Sequence, residues 1–310
     1  MDHSKKVIID CDPGHDDAIA LLLAFASDKL DVQAITAVAG NQTLDKTAHN
    51  ARKVLDYAGI SCDVYAGYDK PLFKKLITAA NVHGESGLDG TTIPEPSRKV
   101  KTKHAVTYLI EKLRESKDKI TLIPTGPLTN IAAALIGAPD IKDKIEEIIF
   151  MGGATCGGNR TPAAEFNILV DPEAAQFVMN SDIPKTMIGL DVTRKAQFNK
   201  DDIKEIYGLN NPVAKMAGEL LDYSVEFHLD YRGIAETPLH DPLAVATAID
   251  ESVVECKELP VKVECKGEYT TGSTVVDWSN NQWAGPKVKV ALDVEEKRFK
   301  DMVKEGLASY

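Results

Sequence analysis

Val7-Ile8-Ile9-Asp10-Cys11-Asp12-Pro13-Gly14-His15-Asp16-Asp17 reads as a short buried strand running straight into an acidic turn. Pro13 and Gly14 make the turn, and the almost wholly apolar run from Ala18 to Ala26 has the composition of a helix. A strand, a tight turn and a helix in that order open an α/β fold. In an open α/β sheet, ligands bind beyond the carboxyl ends of the strands. The four carboxylates of Asp10, Asp12, Asp16 and Asp17 repel one another unless a positive charge sits among them. Oxygen-rich clusters of this kind suit hard cations such as Ca²⁺ and Mg²⁺. A solvated acidic turn with an N-cap aspartate is the alternative, and it fits poorly with so apolar a strand immediately before it.

Outward from that turn, strands and helices alternate. Val32 to Val38 reads as a second strand, which brings Asn41 to the same sheet end as the acidic cluster. Leu44 to Tyr57 is helical with Thr43 as N-cap, and Val64 to Ala66 is a third strand. Residues 67–101 lack periodicity, and long connections in compact domains are commonly functional. His83 lies there beside Gly84, placed either to reach a ligand or simply as a surface histidine. The rhythm resumes with a helix over His104 to Glu115, a strand over Ile120 to Ile123 and a helix over Leu128 to Ile136. Next come a strand over Ile145 to Met151, a helix capped by Asp171 with Pro172 at its first position, and a strand over Lys185 to Leu190. A long helix over Asn211 to Leu229 and an apolar one over Leu243 to Ile249 follow, the latter opened by Pro238-Leu239-His240-Asp241-Pro242. Beyond Val253, the segments Val261 to Cys265, Glu268 to Val276 and Lys287 to Leu292 alternate as antiparallel strands do, and Glu295 to Leu307 closes as a helix. With no repeat, low-complexity segment or linker, the expectation is one α/β domain over residues 1–310. Its sheet is mixed but mainly parallel, flanked by helices, with a C-terminal antiparallel extension.

The net charge of −11 over 310 residues argues against binding nucleic acid or an anionic membrane surface. No apolar run reaches transmembrane length, and the polar start from Met1 to Lys6 lacks the apolar core of a signal peptide. The expectation is therefore cytoplasmic. Five scattered cysteines without C-x-x-C spacing point to reduced thiols, mostly in the core, rather than zinc or a redox pair. Cys11 could be read as a nucleophile, but only His15 stands near it as a base.

A cation at the acidic turn needs further oxygens. Asp241 and the backbone carbonyl of Thr125, at the end of another strand, are the distant candidates. A water polarised there, next to an aspartate not spent on the metal, can be deprotonated to attack an electrophilic carbon. Asn41, Asn159, Glu165 and Asn167 supply directional hydrogen bonds suited to a polyol such as a sugar. His83 and His240 can protonate a leaving group. Each asparagine and histidine here has a capping or loop role as its alternative; the recurrence of all these residues at one sheet edge favours a shared site. Oxygen ligands without cysteine or paired histidines favour Ca²⁺ over Zn²⁺, and a cage of protein oxygens favours it over Mg²⁺. A metal-dependent phosphohydrolase also places Asp-x-Asp after a first strand, but here Gly14 follows Asp12 by two, and no lysine or arginine follows the strand to hold phosphate. A non-catalytic sugar-binding protein is a third class, usually an exported one.

The stretch from Asp10 to Ala18 resembles the signature of the inosine-uridine-preferring nucleoside hydrolases. Asn81 to Gly90, Pro124 to Asn130, Met151-Gly152-Gly153, Thr161 to Asn167 and His240-Asp241-Pro242 resemble further blocks of that family, in family order. The Asn81 to Gly90 and Gly189 to Thr193 segments are most similar to the bacterial pyrimidine-specific branch. The resemblance implies a calcium-dependent hydrolase that splits ribonucleosides into ribose and base in nucleoside salvage, working as a homodimer or homotetramer. It implies Ca²⁺ on Asp12, Asp17, Asp241 and the Thr125 carbonyl, with Asp12 also the base for the attacking water and Asp10 supporting the site from behind. Asp16, Asn41 and Asn167 would take the 2′- and 3′-hydroxyls, Glu165 and Asn159 the 5′-hydroxyl, and Met151 and Phe166 would pack on the sugar. His83 and His240 would face the base. His228 and Tyr231 lie in the segment where the family varies and are further leaving-group donors. Uridine and cytidine are the expected substrates, with broad inosine-uridine hydrolysis as the alternative.

Overall fold

Residues 4–310 are described by a computed structural model. Its strands are β1 (Lys5–Cys11), β2 (Leu30–Ala37), β3 (Val64–Ala66), β4 (Ile120–Pro124), β5 (Ile145–Met151), β6 (Lys185–Ile188), β7 (Gln197–Asn199), β8 (Glu236–Pro238), β9 (Val254–Leu259), β10 (Val261–Val263), β11 (Thr274–Val276) and β12 (Val288–Val294). Eight of them form one sheet in the order β3-β2-β1-β4-β5-β6-β12-β9. Every pairing is parallel except that of the edge strand β9 with β12.

This order has a physical consequence. The chain runs β1, β2, β3 in one direction, then returns to lay β4 on the other side of β1. The crevice at the carboxyl ends of β1 and β4 is therefore the point where strand order reverses, the place where open α/β sheets bind ligands. The acidic turn follows β1 and Thr125 follows β4, and the Thr125 N–H donates to the Asp10 carbonyl across this seam at 2.8 Å.

Two apolar layers cover the sheet. Helices His15–Ala26, Leu44–Tyr57, Pro212–Arg232, His240–Ile249 and Glu296–Ala308 pack on one face. Helices Ala105–Glu115, Thr129–Gly137 and Pro172–Met179 pack on the other. Val7, Ile9 and Cys11 of β1 point into the first layer and Ile8 into the second, as strand alternation requires. Both faces being buried, β1 reads as a continuous apolar run. The helix Pro212–Arg232, which forms one wall of the site, starts where the Asn211 side chain accepts from the Ala214 N–H at 2.7 Å. It stops where Gly233 takes a left-handed φ of 70°.

The C-terminal region carries the expected antiparallel strands, with different bounds and partners. The strand expected over Glu268 to Val276 survives only as Thr274–Val276, because residues around Gly272, at φ 83°, form turns. The charged strand Val254–Leu259 was not anticipated; its middle four residues are exposed, as suits a sheet edge that must resist further pairing. β12 joins the main sheet, parallel to β6 and antiparallel to β9, while β10 and β11 pair as a separate antiparallel ribbon, as β7 and β8 do elsewhere. The strand expected to reach Leu190 ends at Ile188, and Leu190–Thr193 is a helical turn. Nor are the cysteines mostly core residues: Cys11 is buried, but Cys156 and Cys256 are exposed and Cys62 and Cys265 half-buried.

Candidate active site

Asp10, Asp12 and Asp17 are fully buried. Asp10 sits lowest. Its Oδ1 accepts from Thr36 Oγ1 at 2.5 Å and Asn130 Nδ2 at 2.8 Å. Burial pushes its carboxyl up to about 7 against those donors. Asp12 Oδ2 accepts the Asn41 backbone N–H at 2.6 Å, while Asp12 Oδ1 is buried without a hydrogen-bond partner. Glycines enclose this carboxylate. A Cβ on Gly40 would lie 2.1 Å from Asp12 Oδ2, and one on Gly126 2.6 Å from Asp12 Oδ1. Asp17 Oδ2 takes the Gly14 N–H and Asn41 Nδ2, both at 3.1 Å, and Asp17 Oδ1 takes Thr125 Oγ1 at 2.8 Å.

Oxygens of Asp16, Asp17 and Asp241 lie within 4.8 Å of one another. Asp12, also an expected ligand, is not one of this converging trio. Burial and then mutual repulsion raise the carboxyls of Asp12 and Asp241 well above their ordinary range and that of Asp16 to about 7. A bare cluster of this kind favours protons; a divalent cation would offset both the burial of charge and the repulsion behind the shifts. The orphaned Asp12 oxygen, the oxygen-only donor set and the Thr125 carbonyl, whose second lone pair remains beyond its bond from Asn167 Nδ2 at 2.7 Å, fit a hard cation.

Above the carboxylates opens a cavity of about 200 Å³. Asp16, Asn41, Thr125 and Asp241 line its floor, and Met151, Asn159, Glu165, Phe166 and Asn167 one wall. His83, His228, Tyr231 and His240 line the remainder. Of the residues expected in the site, only Asp12 and Asp17 lie beneath the cavity rather than on its surface.

Local structure explains how the wall is held. Glu165 is N-cap of helix Phe166–Val170, its carboxylate accepting from the N–H groups of Asn167 at 2.9 Å, Ile168 at 3.1 Å and Gly153 at 3.0 Å. Burial nonetheless raises its carboxyl. Asn159 Oδ1 accepts the Phe166 N–H at 2.9 Å. The capping role open to Asn159 is thus real, Glu165 caps the helix as well, and both residues still face the cavity. Asn167 Nδ2 also reaches the Met151 carbonyl at 3.2 Å, tying β5 to the end of β4.

Several lining residues gave no signal in the sequence. His15 follows the turn as a buried ring, with Nε2 2.7 Å from the Asp89 carbonyl oxygen and Nδ1 3.1 Å from Nδ1 of His83. A Cβ on Gly14 would lie 2.6 Å from the His83 ring, so glycine there admits it. Phe227 stacks on Tyr231 with centroids 5.8 Å apart. Leu221, Ser224 and Phe227 recur along one face of the long helix, spacing that reads equally as core. Cys11, by contrast, packs with Val7 and Ile9; burial and the neighbouring carboxylates raise its thiol well above the usual value, which disfavours a nucleophile.

The sequence profile described as inosine-uridine preferring nucleoside hydrolase matches residues 7–301. The pyrimidine-specific ribonucleoside hydrolase RihA of Photobacterium profundum is 47% identical over 99% of this chain and 100% of its own. The RihA of Citrobacter koseri is 48% identical over 98% of each. Among solved structures, the plant nucleoside hydrolase PpNRh1 superposes with a TM-score of 0.94 at 34% identity over 99% of both chains. A purine-preferring ribonucleoside hydrolase from Gardnerella vaginalis superposes with a TM-score of 0.92 at 33% identity over 98% of both. With this coverage, and with the acidic floor at the sheet's switch point, the chain belongs to the inosine-uridine preferring nucleoside hydrolase family and is a ribonucleoside hydrolase.

Proposed function

We propose that this enzyme hydrolyses the N-glycosidic bond of pyrimidine ribonucleosides, uridine and cytidine, in preference to inosine, and depends on Ca²⁺. The observation that carries the preference is 47–48% identity, along nearly the whole chain, to relatives named as pyrimidine-specific. The cluster of His83, His228, His240 and Tyr231 on one cavity supports it. A departing pyrimidine must take up negative charge on a single ring, so an enzyme that releases it needs a donor at the base or strong stabilisation of the sugar cation. Broad inosine-uridine hydrolysis is the second reading, favoured by the structural likeness to a purine-preferring enzyme.

Asp12, Asp17, Asp241 and the Thr125 carbonyl would hold the ion, with Asp16 close enough to share it or to bind the ribose beside it. Bound there, Ca²⁺ would neutralise the floor and polarise oxygens placed on it. The chain's own groups do the rest. Asn41, Asn167 and Asp16 would orient the 2′- and 3′-hydroxyls, and Glu165 and Asn159 the 5′-hydroxyl, while Met151 and Phe166 pack on the ring. Asp12 would take a proton from the attacking water as the C–N bond breaks through an oxocarbenium-like sugar. His240 would deliver a proton to the base, so that water and nucleoside become ribose and free base. A salvage role, a cytoplasmic location and homodimeric or homotetrameric assembly belong to the same reading and come from the family resemblance.

The test is a screen of nucleosides against phosphate monoesters, with His240→Ala run beside the unaltered enzyme. Free base with ribose supports the reading, and phosphate release without base overturns it. His240→Ala should slow uridine far more than a nitrophenyl riboside, whose leaving group needs no proton; equal losses would reduce His240 to a packing role.

A further inference from the structure

The short helical segment Leu190–Thr193 and Arg194 after it hold the wall and the base end of the cavity together. Leu190 N–H donates to the Gly153 carbonyl at 2.8 Å, and the Asp191 carboxylate accepts from Thr155 N–H at 2.7 Å and Thr155 Oγ1 at 2.6 Å. Arg194 Nη2 donates to the Gly158 carbonyl at 2.5 Å. These contacts fix the loop that leads to Asn159 and Glu165. Between them stands Thr193, fully buried, whose Oγ1 lies 2.7 Å from Nδ1 of His240. Helix His240–Ile249 packs on this segment, so the distance is set by two packed elements rather than by a mobile side chain.

We propose that Thr193 is a positioning residue for His240, and that it acts on the leaving-group step alone. The inference rests on the assignment of His240 as the group that protonates the base. With Nδ1 held by Thr193 and the ring lining the cavity, proton exchange with a ligand falls to Nε2. The chemistry of the partner matters. A carboxylate at Nδ1 could only accept and would fix one tautomer; a hydroxyl can donate or accept. While Nδ1 is unprotonated, the threonine O–H donates to it. With a proton on each ring nitrogen, Nδ1–H donates to the threonine oxygen, and it still does after Nε2 has given its proton to the base. The ring therefore stays in place across the turnover whichever nitrogen carries the proton. The methyl group of Thr193, buried beside it, restricts the hydroxyl to few rotamers.

The experiment compares Thr193→Val, which removes the hydroxyl and keeps the shape, with Thr193→Ser, which keeps the hydroxyl. Uridine and a nitrophenyl riboside are the two substrates, and His240→Ala is the reference. Thr193→Val should lower kcat on uridine by about 10- to 100-fold, leave KM and the nitrophenyl riboside essentially as in the unaltered enzyme, and be largely rescued in Thr193→Ser. Thr193→Ala gives the same comparison should the valine variant fold poorly. Full uridine activity in Thr193→Val, or equal loss on both substrates, overturns the proposal. If His240→Ala is selective for uridine and Thr193→Val is not, the positioning role fails while the leaving-group assignment stands. If His240→Ala loses both substrates equally, that assignment fails, and this proposal with it.

Discussion

His15 and His83 face each other through their Nδ1 atoms at 3.1 Å. The Asp89 carbonyl, 2.7 Å from His15 Nε2, can only accept, so that nitrogen carries the proton. Burial lowers the His15 imidazole to about 4 and the His83 imidazole well below its usual value, so both rings are neutral at physiological pH. A neutral His15 protonated on Nε2 offers a lone pair at Nδ1, while its backbone N–H donates to the same His83 Nδ1 at 3.3 Å. His83 Nδ1 thus faces one donor and one lone pair, both from His15.

With His240 as the proposed proton donor, His83 on the same cavity would hydrogen-bond the base. His83→Ala should raise KM for uridine by about tenfold, the worth of one hydrogen bond, with a smaller effect on kcat. Steady-state kinetics reads this directly. A collapse of kcat at unchanged KM would make His83 the proton donor instead.

Asp12 combines a partnerless buried oxygen with the expected role of base. Asp12→Asn keeps the shape and removes the charge. It should cost about 10²- to 10⁴-fold in kcat and weaken metal retention, measured by turnover and by metal content after dialysis. Near-normal turnover with metal still bound would contradict the assignment.

Much of this site was legible in the sequence because its chemistry is carried by short stretches at strand ends. Asp10 to Asp17, Thr125, Glu165 to Asn167 and His240-Asp241 all fall at β-strand or helix boundaries that apolar periodicity and caps define. The helix Leu44–Tyr57, the strands Val64–Ala66 and Ile145–Met151, and the Asp171 cap, whose carboxylate takes the Ala174 N–H at 3.1 Å, follow local rules and match in register. What the sequence hid depends on long-range packing. The His15–His83 contact joins residues 68 apart, and His15 looks like any helix-start residue until the 83–90 loop closes over it. The edge strand Val254–Leu259 was hidden because its charged, exposed centre lacks the apolar alternation by which strands are read.

Asp56 ties the long connection to helix Leu44–Tyr57, taking Arg52 and Arg98 side chains and the N–H groups of Ser97 and Arg98. Burial works to raise its carboxyl, but those donors outweigh it and hold it at about 2. A carboxylate depressed on folding stabilises the protein above its unfolded value near 4 and loses that contribution as pH falls towards 2. Asp56→Asn should cost about 1–3 kcal/mol at neutral pH, and the gap to the unaltered protein should narrow as the pH drops below about 4. Thermal melts at pH 7 and pH 3 check it, with kcat for uridine unchanged.

Metal identity has its own signature. Oxygen ligands without cysteine at the floor predict stoichiometric calcium by elemental analysis, activity lost to a chelator and restored by Ca²⁺. Stoichiometric zinc would contradict the donor set.

The most direct test of the whole account is the ratio of kcat/KM for uridine and cytidine to that for inosine, with free base and ribose identified as products. The account predicts both pyrimidine nucleosides well ahead of inosine, each releasing its base. A preference for inosine, or binding of uridine without release of uracil, would contradict it.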